Sequence, residues 1–117
     1  LNALGYTLAD RKKSLRRAEN LVRAALEQRP DNAAFLDSLG WVRYRRGDKI
    51  GALSPLERAW QLSREGEIAA HWGEVLWSMG DQAGARSIWA RALVAAPESK
   101  PLRATIERFT GTSDRKP

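Results

Sequence analysis

Apolar residues recur along this chain at helical spacing, not in the alternation of a strand. Leu36, Leu39 and Val42 fall three apart and so share one helix face. Ala52, Leu56 and Ala59 follow at steps of four and three, and Ala85, Trp89 and Ala92 repeat that small-large-small stripe. Small residues let two helices approach closely, and the large one fills the space between them. Gly47-Asp48 and Gly80-Asp81 separate the stretches. Glycine suits the left-handed residue after a helix end, and aspartate caps the next helix. The pattern predicts an all-α chain with helices near 2–10, 15–28, 32–46, 49–63, 67–79, 82–95 and 100–110. The first junction lacks Gly-Asp. There Asp10–Lys13 is expected to form a longer loop, with Ser14 capping the second helix.

The pattern is also periodic. Leu39-Gly40 and Trp72-Gly73 are 33 residues apart, as are the two Gly-Asp pairs and the two small-large-small stripes. Upstream, Ala18, Val22 and Ala25 stand 34 residues before Ala52, Leu56 and Ala59, and Leu4-Gly5 stands 35 before Leu39-Gly40. A unit of this length points to stacked helical repeats. Three units are expected, at 1–30, 31–64 and 65–97, with Pro30 and Pro97 closing the first and third. A last helix, 99–110, has Ser99 as its cap, Pro101 in its first turn, and Leu102, Ile106 and Phe109 on one face. Arg103, Glu107 and Arg108 make its other face polar, as a helix covering the end of a stack requires. Residues 1–110 thus form one expected domain, and 111–117 a disordered tail. The chain starts at Leu1 with no cap and no signal-peptide pattern. It reads as a piece of a longer protein, with further repeats expected upstream.

Leu-Gly, Tyr, Gly, Ala, Leu or Trp, Ala and Pro at these offsets resemble the tetratricopeptide repeat over residues 1–97. The resemblance implies helix-turn-helix units stacked into a right-handed superhelical solenoid with a concave groove, and a capping helix after the third unit. Three residues depart from the family pattern. Arg43 stands where an aromatic is favoured, Pro55 lies inside a helix, and Arg64 replaces a closing proline. The strings Phe35-Leu36-Asp37-Ser38-Leu39-Gly40-Trp41 and Ile68-Ala69-Ala70-His71-Trp72-Gly73-Glu74-Val75-Leu76-Trp77 resemble the C-terminal repeats of large Gram-negative bacterial proteins of this family. Some of those are outer-membrane lipoproteins serving as adaptors of a periplasmic protease. That closer resemblance implies the periplasm or the periplasmic face of the outer membrane, with the cytoplasm left open.

Composition removes several chemistries. Among 117 residues there is no Cys and one His. Disulfides, Cys-ligated zinc and a thiol nucleophile are excluded, as are multi-His metal sites. No apolar run approaches the roughly 18 residues of a membrane span. Asp37, Ser38 and His71 fall close enough in register to raise a catalytic triad. A hydrogen bond between neighbouring repeats, or simple exposure, is the favoured reading of Asp37 and His71. No phosphate-binding glycine loop and no metal-ligand spacing exist, so no cofactor, no metal and no catalysis are expected.

The net charge of +6 sits wholly in residues 1–64, with 13 basic and 7 acidic residues against seven of each thereafter. It is densest at Arg11, Lys12, Lys13, Arg16 and Arg17. Such a cluster permits nucleic acid, anionic lipid or an acidic protein.

Of the five Trp residues, Trp72 and Trp89 occupy repeat core positions, and Trp60 has no assigned role. By the resemblance, the concave surface is lined by Asn2, Tyr6, Ala9 and Asp10. It continues through Asp37, Trp41, Tyr44 and Arg45, then Glu67, Ala70, Glu74, Trp77 and Ser78. The candidate partner-binding residues are Tyr6, Asp37, Trp41, Tyr44, Arg45, Glu74 and Trp77, aromatic anchors flanked by polar groups. No Lys or Arg stands among Asn2, Tyr6, Asp37, Trp41, Ala70 and Glu74, so a carboxylate clamp of the kind some relatives carry is not supported. The leading expectation is a non-catalytic scaffold that binds a protein or peptide segment in the groove, with Asp37 and Glu74 selecting positive charge. The alternatives are nucleic-acid or anionic-surface binding through the basic first unit, and a structural self-association module. Single-strand binding combines charge with aromatic stacking. Here the aromatics and the basic cluster are apart, which disfavours nucleic acid. No membrane contact by the segment itself is expected.

Overall fold

The structure, a computed structural model, describes the backbone of residues 3–111 and the side chains of residues 11–111. It holds six helices: α1 (Ala3–Gln28), α2 (Ala33–Arg45), α3 (Lys49–Leu62), α4 (Gly66–Ser78), α5 (Gln82–Ala95) and α6 (Lys100–Thr110). No strand occurs among the described residues. The all-α solenoid expected from the periodicity is the observed architecture.

Both Gly-Asp junctions form as the local chemistry dictates. Gly47 and Gly80 take φ of 99° and 92°, in the left-handed region that an L side chain strains to enter. Asp48 then accepts from the Gly51 N–H at 2.9 Å, and Asp81 from the Gly84 N–H at 2.8 Å. Asn32 caps α2 through the Phe35 N–H, and Ser99 caps α6 through the Leu102 N–H. Gly111, at φ 74°, ends α6.

The first junction is different. No loop forms at Asp10–Lys13 and Ser14 caps nothing: α1 runs unbroken through both. Arg11, Lys12 and Lys13 are good helix formers, and no glycine or proline interrupts them. At 1.5 Å per residue α1 spans roughly 39 Å, about twice the length of α2, the element it packs on among the described residues.

The core follows the stripes. Ala52, Leu56 and Ala59 of α3 and Ala85, Trp89 and Ala92 of α5 are buried, and Trp60 is buried beside them. Leu36, Ile68, Ala69, Ala70, Ile88 and Leu102 join Ala59, Trp60, Ala85, Trp89 and Ala92 in the main cluster, onto which Trp77, Ile106 and Phe109 pack. A smaller cluster joins Ala52, Leu56 and Val75, and half-buried Trp72 touches both. Pro55 sits inside α3, buried, without ending it. Arg43 is mostly buried, and its Nε donates to Glu19 at 3.0 Å. Glu19, 7% exposed, is the one buried charged residue among those described, and Arg46 Nε meets its other oxygen at 2.8 Å.

Candidate functional site

The helices α2, α4 and α6 lie side by side and share one face of the stack. Asp37 Oδ1 of α2 meets His71 Nδ1 of α4 at 2.8 Å. One register further along, Arg108 of α6 donates Nη2 to Glu74 Oε1 of α4 at 2.5 Å. Both pairs are 34 residues apart, so α6 stands to α4 as α4 stands to α2. Gly66 of α4 lies tight against Ser99, where α6 begins.

Aromatic rings fill the seams between these helices. Trp41 stacks on His71 with ring centroids 4.1 Å apart, and packs against Tyr44 at 5.2 Å. The Tyr44 hydroxyl donates to Glu74 Oε2 at 3.1 Å. Burial raises the Tyr44 pKa above its ordinary value, and the neighbouring Glu74 carboxylate raises it further. Glu74 is thus held from both sides, by Tyr44 and by Arg108. Among the described residues the second oxygen of Asp37 takes no hydrogen bond.

Four of the sequence candidates meet here: Asp37, Trp41, Tyr44 and Glu74. Trp77 does not join them. Its ring forms a three-ring cluster with Trp89 and Phe109, with centroids at 5.8 and 5.9 Å, and the Arg86 guanidinium covers it at 5.4 Å. Arg45 is exposed, and no partner for it is found among the described residues. The Tyr6 side chain, with Asn2, Ala9 and Asp10, lies outside the described residues. The site also contains Arg108, which sequence reasoning had placed only on the polar side of a cap. The signal was present, since Arg108 follows Glu74 at the offset by which His71 follows Asp37.

Among the described residues Asp37, His71 and Ser38 do not come together as a triad. Ser38 is exposed, no hydrogen bond links it to His71, and the imidazole is engaged by Asp37 and Trp41. Among the described residues no group of three or more His, Asp and Glu side chains gathers as metal ligands would. No described helix is long and apolar enough to cross a membrane. What the face offers is a half-buried aromatic surface edged by the Arg108–Glu74 ion pair and the Asp37–His71 hydrogen bond.

A TPR repeat-containing protein of Pseudomonas aeruginosa is 49% identical to this chain over 111 residues, or 95% of the chain. The chain belongs to the tetratricopeptide-repeat family. It spans 19% of that relative's length. No family model matches the chain. Proteins of the tetratricopeptide-repeat family are in general protein–protein interaction scaffolds, typically without catalysis.

Proposed function

We propose that this tetratricopeptide-repeat segment is a non-catalytic adaptor surface that holds a segment of a protein partner in the groove lined by α2, α4 and α6. Trp41 is the principal anchor and Tyr44 its neighbour. One observation carries the reading. Of the five Trp rings, Trp60 and Trp89 are in the main core, Trp72 and Trp77 pack against it, and Trp41 joins neither hydrophobic cluster among the described residues. It is held in place by His71 and Tyr44 while part of its surface stays open. A fixed, half-exposed indole in a polar rim is what interface hot spots are made of.

The pairing of Glu74 with Tyr44 and Arg108 alters the expected selectivity. Glu74 is already neutralised, so selection of a positive group falls to the open oxygen of Asp37. Trp77 lines the far end of the groove as a ring supported by the core, and it serves shape more than capture.

The test uses the full-length protein with Trp41→Ala in affinity capture from its own cells, with the captured proteins identified by mass spectrometry. The captured set should be lost while helicity and the melting midpoint stay near wild type. Retention of the full set by a folded Trp41→Ala protein would place the binding surface elsewhere. Unfolding of the variant would assign Trp41 to the core and remove the basis of the reading.

A further inference from the structure

The cations of this chain divide into two populations. From α3 onward most are engaged: Arg58 with Asp31, Arg108 with Glu74, Lys49 with the Ser78 carbonyl, Arg64 over Trp60 and Arg86 over Trp77. On α1 the opposite holds. Lys12, Lys13, Arg16, Arg17 and Arg23 are all exposed, and none has an ion pair or hydrogen bond among the described residues.

Their spacing gathers them. Lys12, Arg16 and Arg23 are separated by four and seven residues and so form one strip of the helix, with Lys13 and Arg17 on the strip beside it. Glu19 lies along the inner edge of the first strip, three residues after Arg16 and four before Arg23. Its carboxylate is taken by Arg43 and Arg46 of α2, so it is not available to pair with them. Glu27 is the one exposed acidic residue on the described part of α1. Like charges one turn apart repel, and an anionic ligand relieves that repulsion.

We propose that this strip of α1 is a second docking surface, separate from the groove, that binds an acidic segment of a protein partner. The Glu19 carboxylate, gripped by paired guanidiniums at the edge of this face, shows the chemistry that such a segment would meet. Two other polyanions fit less well. Residues 11–29 contain no aromatic side chain, so the face has no platform on which bases of a single strand could stack. Leu15, Val22 and Leu26 are the half-buried apolar stripe of α1, and among the described residues of this helix Leu21 is the one large apolar side chain left exposed, too little apolar surface to enter a bilayer.

Fluorescence anisotropy of a labelled oligoglutamate peptide on the full-length protein tests this. Replacing Lys12→Gln, Arg16→Gln and Arg23→Gln together should weaken binding about tenfold or more, and added salt should weaken the wild type steeply. Trp41→Ala should leave it unchanged, which separates this surface from the groove. Equal binding by the triple variant would overturn the proposal. Competition decides the ligand class, with unlabelled oligoglutamate, duplex DNA and phosphatidylglycerol vesicles compared at equal negative charge. Oligoglutamate is expected to displace the label best. Better displacement by the duplex or by the vesicles would assign the face to nucleic acid or to a membrane, and the proposal would fail.

Discussion

Arg43 Nη1 donates to the Gly51 carbonyl at 3.1 Å, and Gly51 stands four residues before Pro55. Proline has no N–H, and its ring pushes against the carbonyl one turn back. That carbonyl therefore loses its helical partner, and the guanidinium replaces it. Arg43 and Pro55, two of the three departures from the family pattern in the second unit, are thus one arrangement. An aromatic ring at 43 would fill the space and leave the carbonyl unmet.

A double-mutant cycle follows from this contact. Arg43→Met should destabilise the fold by roughly 1–3 kcal/mol, because it strands the Gly51 carbonyl and leaves Glu19 with Arg46 alone. Pro55→Ala restores a backbone N–H at that position, which serves the Gly51 carbonyl. In that background the Arg43→Met cost should fall by about 0.5–1.5 kcal/mol. Denaturant melts of the four proteins measure the coupling. Strict additivity would mean that the contact is incidental.

Gly73 and Gly40 should reverse the usual effect of glycine in a helix. Gly→Ala at an exposed helix site gains up to about 1 kcal/mol. Here a methyl at 73 would overlap the buried Trp89 indole, and one at 40 would overlap Leu56. Both Ala variants should melt earlier, with losses of roughly 1–3 kcal/mol. Gly73→Ala should lose more, since a rigid indole yields less than a leucine tip. A raised midpoint for either would show that the helix pair can part without cost.

Glu19 links stability to acid. Burial pushes its pKa up, but the hydrogen bonds and charges of Arg43 and Arg46 outweigh this and hold it below the ordinary glutamate value. A depressed folded pKa means that the contribution is present above the unfolded-state pKa and is lost as pH falls through the folded one. Stability should therefore decline below the normal glutamate range. Glu19→Gln should be less stable at neutral pH and show a shallower acid decline. Urea midpoints across the acidic range compare the two.

Tyr44 gives the alkaline counterpart. Burial, then the charge and hydrogen bond of Glu74, hold its pKa above the ordinary tyrosine value. The stability tied to its protonated form is present below the unfolded-state pKa and lost as pH rises through the folded one. Of the two Tyr residues in the chain, Tyr44 should ionise at higher pH than an unperturbed phenol in an ultraviolet titration. Tyr44→Phe should remove that late step and cost about 1 kcal/mol at neutral pH.

Much of the fold was legible in the chain because its determinants are local or periodic. A glycine that must take positive φ, an aspartate three residues before a free N–H, and a small-large-small stripe each act within one or two helical turns. Their recurrence every 33 residues predicted α2 to α5, and Ser99 with Leu102 predicted α6. The junction expected at Asp10–Lys13 had only the repeat register behind it. No residue there breaks a helix, so local propensity kept α1 whole. The face shared by α2 and α4 was legible in part. A hydrogen bond between Asp37 and His71 was one of the readings that their register offered, and Trp41 and Tyr44 were placed together on the first helix of their unit. Tertiary packing decided the rest, because a side chain's role depends on which neighbours reach it. Phe109 and Trp89 tie Trp77 to the core while His71 and Tyr44 hold Trp41, Arg108 neutralises Glu74, and Arg43 answers a carbonyl exposed by a proline on the next helix.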